Sequence, residues 1–196
     1  MYVNYNYLPQ EFSEIENVFD DWRSLISTTE FTLGPFLEAF EKKFAGAVGA
    51  KHCIAVNNGT DALILSLKAS GVGPGDEVIT VTNTFYATVG AVVAVGARPV
   101  LIDCDARYQI DPAKIEAAIS PKTKAVIPVH WGGASPQMNQ IMEICETNKL
   151  IVVEDACMGI GASINGWSPG TFGLVNADSM HPLKSLNAMG DGGMVA

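Results

Sequence analysis

The sequence predicts an α/β domain in three layers, with a mostly parallel central sheet. Two observations carry this. Short apolar runs alternate with helix-patterned stretches from about residue 53 to residue 155, the pattern of parallel strands joined by crossover helices. The apolar runs are also continuous instead of alternating in-out, as expected of strands buried on both faces. With 196 residues, 48% of them hydrophobic, the chain is long enough to bury a real core.

The elements follow in order. Glu14 to Ile26 places Ile15, Val18, Phe19, Trp22 and Ile26 at helical spacing, so an amphipathic helix is expected within an N-terminal helical segment, 1–30. The α/β domain is assigned to 31–196. Phe36 to Phe44 repeats the helical spacing behind Gly34-Pro35. Cys53 to Val56 is a short strand, Asn57 to Thr60 a turn, and Asp61 to Ser70 a helix apolar on most sides, hence buried. Strands are then expected at Glu77–Val81, Val100–Ile102, Ala125–Val129 and Leu150–Val153. Between them lie helices from Phe85 to Val95, from Asp111-Pro112 to Ile119 and from Ser135-Pro136 to Glu146. Gly193 to Ala196 has the look of another strand beginning, and a chain that stops inside a core-type strand is expected to be part of a longer protein.

Composition excludes some functions. A net charge of −9 disfavours nucleic acid, whose phosphates it would repel. No run of about 18 apolar residues predicts a membrane span, and Met1 is followed by a polar, tyrosine-rich start, unlike a signal peptide. The four cysteines, Cys53, Cys104, Cys145 and Cys157, have no C-x-x-C spacing and sit in or beside apolar runs. Reduced thiols in a cytoplasmic protein are expected, not disulfides or zinc.

Four features point to one chemistry. Gly59-Thr60 joins a strand to a buried helix, where exposed amides and the helix dipole suit a phosphate; an ordinary turn with an N-cap threonine would read the same. Asp155 ends an apolar strand, at the sheet edge where α/β ligands bind. A buried carboxylate needs a cation or several donors, and a protonated pyridine nitrogen would serve; capping of the turn Cys157-Met158-Gly159 is the simpler alternative. Phe85, in Thr84-Phe85-Tyr86, follows a strand end and could stack on a flat ligand or fill the core. Lys184 lies five residues after Ser179 and shortly before the turn Gly190-Asp191-Gly192-Gly193, where bare glycines would let backbone approach a ligand. Pyridoxal phosphate needs this set: a lysine for its aldehyde, an aspartate for its ring nitrogen, a helix N-terminus for its phosphate.

Other motifs fail. GxxxxGK[ST] is absent, Ile164 breaks a dinucleotide fingerprint after Gly159 and Gly161, and Tyr108 stands where a calcium loop beginning at Asp103 needs glycine. His52, His130 and His181 are too scattered to argue for metal. His130 ends a strand and is read as a satisfied structural histidine.

The segments NNGTDALILSLKASGVGPGDEVIT (57–80), TNTFYAT (82–88), AVIPVHWGG (125–133), VVEDACMGIGA (152–162) and SMHPLKSLNAMGDGG (179–193) closely resemble, in order and spacing, the DegT/DnrJ/EryC1/StrS family of sugar aminotransferases. The start NYLPQEF, with EDACMGIGA and SMHPLKSLN, is also similar to the 8-amino-octulosonate transaminase branch. The resemblance implies an aspartate-aminotransferase-like (type I) large domain, with a small C-terminal domain beyond the chain. It implies pyridoxal 5'-phosphate as cofactor and transfer of an amino group, from glutamate, to a keto- or aldehydo-sugar by a homodimer. The roles it implies are Lys184 as Schiff-base lysine and proton shuttle, and Asp155 as partner of the pyridinium. Gly59, Thr60 and Ser179 become phosphate ligands, and Phe85 the stacking ring. It also implies that a following segment completes the sheet.

Two departures stand out: Met158 where the family usually has glutamine, and the ionisable Asp178 before Ser179, where an apolar residue is common. They keep a non-catalytic binding or regulatory homologue in view, as does an inactive truncated chain. Within the family a sugar dehydratase is the rival; such enzymes typically carry histidine at the lysine position, so Lys184 speaks against it.

Overall fold

Seven strands form one sheet in the order β1-β7-β6-β5-β4-β2-β3. They are β1 (Ile54–Val56), β2 (Glu77–Val81), β3 (Arg98–Ile102), β4 (Thr123–Ile127), β5 (Ile151–Asp155), β6 (Val175–Ser179) and β7 (Gly193–Val195). The structure is a computed structural model and describes residues 3–196. Met1 and Tyr2, the start of the expected 1–30 segment, lie outside the described residues. Only β7 runs against its neighbours, pairing antiparallel with both β1 and β6; the other pairs are parallel.

Helices are α1 (Leu8–Glu11), α2 (Glu16–Thr28), α3 (Pro35–Val48), α4 (Gly59–Ala69), α5 (Tyr86–Ala94), α6 (Ile115–Ala118) and α7 (Met138–Thr147). Alternate residues of each strand feed opposite faces, and two cores result. On one face Val78, Ala125, Ile127, Val153 and Ala177 pack with Ala62, Leu63 and Leu67 of α4 and Ala91 and Val92 of α5. On the other, Ile79, Val81, Val126 and Val152 pack with Ile115 of α6 and Ile141 and Cys145 of α7. A third cluster places Phe44, Ala45 and Val48 of α3 over Cys53, Met180 and Met194. The expected three-layer arrangement follows from these clusters.

Several local expectations need correction. The helix after β1 begins at Gly59, two residues early, because Asn58 caps it: its Oδ1 accepts the Asp61 N–H at 2.8 Å. Thr60 is therefore inside the first turn and is not the cap. The stretch 111–119 is a 3₁₀ turn, Pro112–Lys114, followed by one α-turn, with Asp111 capping as expected. The helix expected from Ser135-Pro136 starts only at Met138. Strand β6 was not expected; its sequence, VNADS, carries three polar residues. Strand β7 bridges β1 and β6, and β1 and β3 form the two edges of the sheet. All four cysteines are unpaired. Among the described residues no helix is long and apolar enough to cross a membrane, and no cluster of His, Cys, Asp and Glu is placed to hold a metal ion.

Candidate active site

The six residues singled out above lie in segments that follow, end or cap the parallel strands at their carboxyl ends. β2 has β3 on one side and β4 on the other, so the chain reverses its winding there, and ligands of open α/β sheets bind in the crevice such a reversal leaves.

Gly59 and Thr60 open α4. First-turn amides have no intrahelical acceptor, and those of Gly59 and Thr60 have none elsewhere among the described residues. Gly59 is pressed against the end of β6. A Cβ built on it would stand 2.8 Å from Ser179 Cβ, 3.2 Å from Ser179 Oγ and 2.9 Å from Cys157 Sγ. The two predicted phosphate positions, 120 residues apart, are thus in contact. Gly193 serves the same junction: a Cβ there would strike the carbonyl of Asn58 and the amide of Gly59. Gly190 to Gly193 were expected to let backbone approach a ligand; the bare Gly193, first residue of β7, lets α4 close onto β7.

Asp155 ends β5 and is 6% exposed. Its Oδ2 accepts the Thr88 hydroxyl of α5 at 2.7 Å, and Oδ1 accepts the Cys157 N–H at 3.3 Å. Thr88 Oγ1 spends its one hydrogen on Asp155, so Thr84, 2.7 Å away, is the donor to Thr88. The relay Thr84, Thr88, Asp155 supplies neutral donors only. Among the described residues no cation pairs with Asp155. Asp155 thus caps the turn after β5, and among the described residues its buried carboxyl group has no cation beside it.

Phe85 precedes α5 and is 54% exposed, its ring 4.3 Å from that of Tyr86. It is not a core aromatic. Lys184 is half-buried, in an irregular stretch between β6 and β7, where its N–H donates to the His181 carbonyl at 2.8 Å. Its ammonium makes no ion pair among the described residues but is near enough to Cys157 to favour the thiolate there. Burial outweighs this and, with the neighbouring Asp155, pushes the Cys157 thiol well up.

These features fit pyridoxal phosphate: free amides at a helix N-terminus, a cradle that a Cβ on Gly59 would fill, and a carboxylate lacking a cation. Residues 13–196 match the profile of the DegT/DnrJ/EryC1/StrS aminotransferase family. The chain belongs to that family. It is 44% identical over 183 residues to the "Pleiotropic regulatory protein" of Geobacillus stearothermophilus, covering 93% of this chain and 48% of that one. It is 48% identical over 172 residues to a UDP-N-acetyl-3-dehydro-alpha-D-glucosamine 3-aminotransferase of Acidithiobacillus ferrooxidans, covering 87% and 47%. Among solved structures, NtdA of Bacillus subtilis with bound cofactor PMP superposes with a TM-score of 0.88 at 39% identity, over 94% of this chain and 42% of that one. The chain spans about half the length of the curated relatives it matches.

Asp178 is not on the Gly59 side. Ala177 packs with α4, whereas Asp178 pairs with Met194 and faces the α3 cluster. It is 1% exposed, and among the described residues Oδ2 has no hydrogen-bond partner. Burial first, then Asp155 and Glu154, holds its pKa well above the usual carboxylate range. His130 is fully buried, with Nε2 on Glu154 and Nδ1 without a partner, so it is half satisfied. A cleft of about 670 Å³, lined by Arg107, Trp167 and Phe172 among others, contains none of the six predicted residues.

Sequence reasoning missed Thr88, Asn58 and Glu154. Thr84 and Thr88, one helical turn apart around Phe85, were the available signal for the relay. Asn58 was visible as an Asn three residues before Asp61, the usual cap spacing.

Proposed function

We propose that the protein is a pyridoxal-phosphate-dependent aminotransferase that moves an amino group from glutamate to a keto- or aldehydo-sugar. The acceptor is a nucleotide-linked sugar or an eight-carbon sugar acid used in cell-surface polysaccharide or lipopolysaccharide synthesis. The observation that carries this is Asp155, buried at the end of β5 with neutral donors and, among the described residues, no cation. When bound, the cofactor supplies a carbonyl that amines attack and a ring that accepts electrons while its nitrogen is protonated.

The chain's own residues do the rest. Asp155 holds the proton at the ring nitrogen, and Thr88 and the Cys157 amide fix its two oxygens. The amides of Gly59 and Thr60, with the Ser179 hydroxyl, bind the phosphate where the dipole of α4 favours an anion. Phe85, exposed at the mouth of α5, covers a ring face. Lys184 Nζ would hold the cofactor covalently and, once released, would shuttle the proton. The protein works as a cytoplasmic homodimer.

A regulatory role is the second reading, favoured by Met158 at the cofactor edge, since a thioether is a weak acceptor, and by the similarity to the Geobacillus protein. Incubating the full-length protein with pyridoxal phosphate, glutamate and a panel of keto-sugars separates the readings. Amino-sugar and 2-oxoglutarate in equal amounts are expected. Loss of water without amine formation would make it a dehydratase, and no turnover with any sugar would favour the regulator.

A further inference from the structure

Glu154 and Asp155 are neighbours on β5 and so point to opposite faces of the sheet. Nothing in the proposed chemistry uses Glu154, yet it is fully buried and holds four donors. Oε2 is 2.8 Å from His130 Nε2 and 2.9 Å from the Gly170 amide. Oε1 accepts the amides of Phe172 at 2.7 Å and Gly173 at 2.6 Å. The three amides can only donate, and a carboxylate that accepts them is met by the N–H form of His130 Nε2.

Two routes lead from this carboxylate back to Asp155. The first runs through the residues that follow β4, Pro128 to His130. The residue whose ring meets Glu154 also donates its backbone N–H to the Asp155 carbonyl at 3.0 Å, while the Asp155 N–H donates to the Pro128 carbonyl at 2.9 Å. His130 therefore grips two consecutive residues of β5, one by its ring and one by its backbone. The second runs through the 168–173 loop. Asn176, the cross-strand partner of Glu154, donates to the Gly170 carbonyl at 2.6 Å, so the two side chains clasp one loop from adjacent strands. That loop lies on the turn after Asp155: a Cβ on Gly159 would stand 2.7 Å from Pro169 Cβ, and one on Gly170 3.2 Å from Ala156 Cβ. Cys157, between Ala156 and Gly159, supplies the amide that holds Asp155 Oδ1.

We propose that Glu154 is the positioning residue for Asp155, fixing its carboxylate from behind the sheet through His130 and through the clasped 168–173 loop. The inference rests on the aminotransferase reading for its purpose, though not for its geometry.

The test uses the full-length protein and Glu154→Gln, which keeps the shape but turns one acceptor into a donor. Two quantities are read: hydrogen exchange at the Asp155 and Cys157 amides without cofactor, and the pH at which the visible absorbance of bound pyridoxal phosphate changes. Exchange at both amides should rise about tenfold, and the absorbance transition should move by about one pH unit. Ile115→Val, a core change on the same face, is the control and should lower Tm without moving either. If Glu154→Gln does not fold, His130→Phe takes its place; it keeps the backbone bond to Asp155, loses the ring donor and should move both quantities the same way. Loss of Tm with both quantities at wild-type values would overturn the proposal. A wild type without a visible band would contradict the cofactor reading instead, and amide exchange alone would then decide on Glu154.

Discussion

The Thr88 hydroxyl lies 2.7 Å from Asp155 Oδ2, tying the start of α5 to the end of β5 across 67 residues of sequence. Both groups are buried, so the bond fixes one carboxylate oxygen where water does not compete. Thr88→Val keeps the shape and removes the donor. A hydrogen bond to a carboxylate contributes about 1.5–3 kcal/mol, so pyridoxal phosphate binding should weaken at least about tenfold, measured by absorbance titration. Thr88→Ser should bind as the wild type does. Equal affinity of all three would remove Thr88 from the site.

Gly59→Ala probes the junction of α4 and β6. The added methyl would stand 2.8 Å from Ser179 Cβ and 2.9 Å from Cys157 Sγ, so one of these must move. Overpacking of this kind costs about 1–3 kcal/mol, and it falls where the phosphate is proposed to sit. The expected outcome is a modest fall in Tm with a much larger loss of affinity for pyridoxal phosphate. Tm lowered with affinity intact would mean the phosphate lies elsewhere.

Asp178 makes stability depend on pH. Folded, it keeps its proton well above the pH at which it ionises in the unfolded chain. Between those two values the folded state binds more protons, so stability falls as pH rises, by up to about 1.4 kcal/mol per pH unit. Below the unfolded value, about 3.9, the penalty is absent. Asp178→Asn should therefore be more stable than the wild type at pH 7 in urea unfolding, with the two curves converging near pH 4. Parallel curves over that range would show that Asp178 ionises freely in the fold.

Much of this was legible in the sequence, for physical reasons that also mark the limits. Strands β2, β4 and β5 read clearly because burial on both faces demands continuous apolar runs, and β2 was bounded to the residue. β6 was missed because Asn176 and Asp178 are polar residues facing a buried layer, which no hydrophobic pattern predicts. Asp155 and Gly59 stood out as chemistry at strand ends, but their surroundings did not. Thr88 and Ser179 reach those residues through folding, and Glu154 acts from behind the sheet through backbone amides, which leave no trace in side-chain spacing. Gly193 was noticed but its neighbour was not, because only the sheet order places it against Asn58.

The central claim is that Lys184 anchors pyridoxal phosphate. Its most direct test is the absorbance spectrum of the full-length protein with added cofactor, before and after borohydride, beside Lys184→Ala. The account predicts a visible band that borohydride abolishes, a cofactor then fixed to the peptide that carries Lys184, and neither in the variant. A wild type that shows no band, or a variant that is labelled equally, would contradict it.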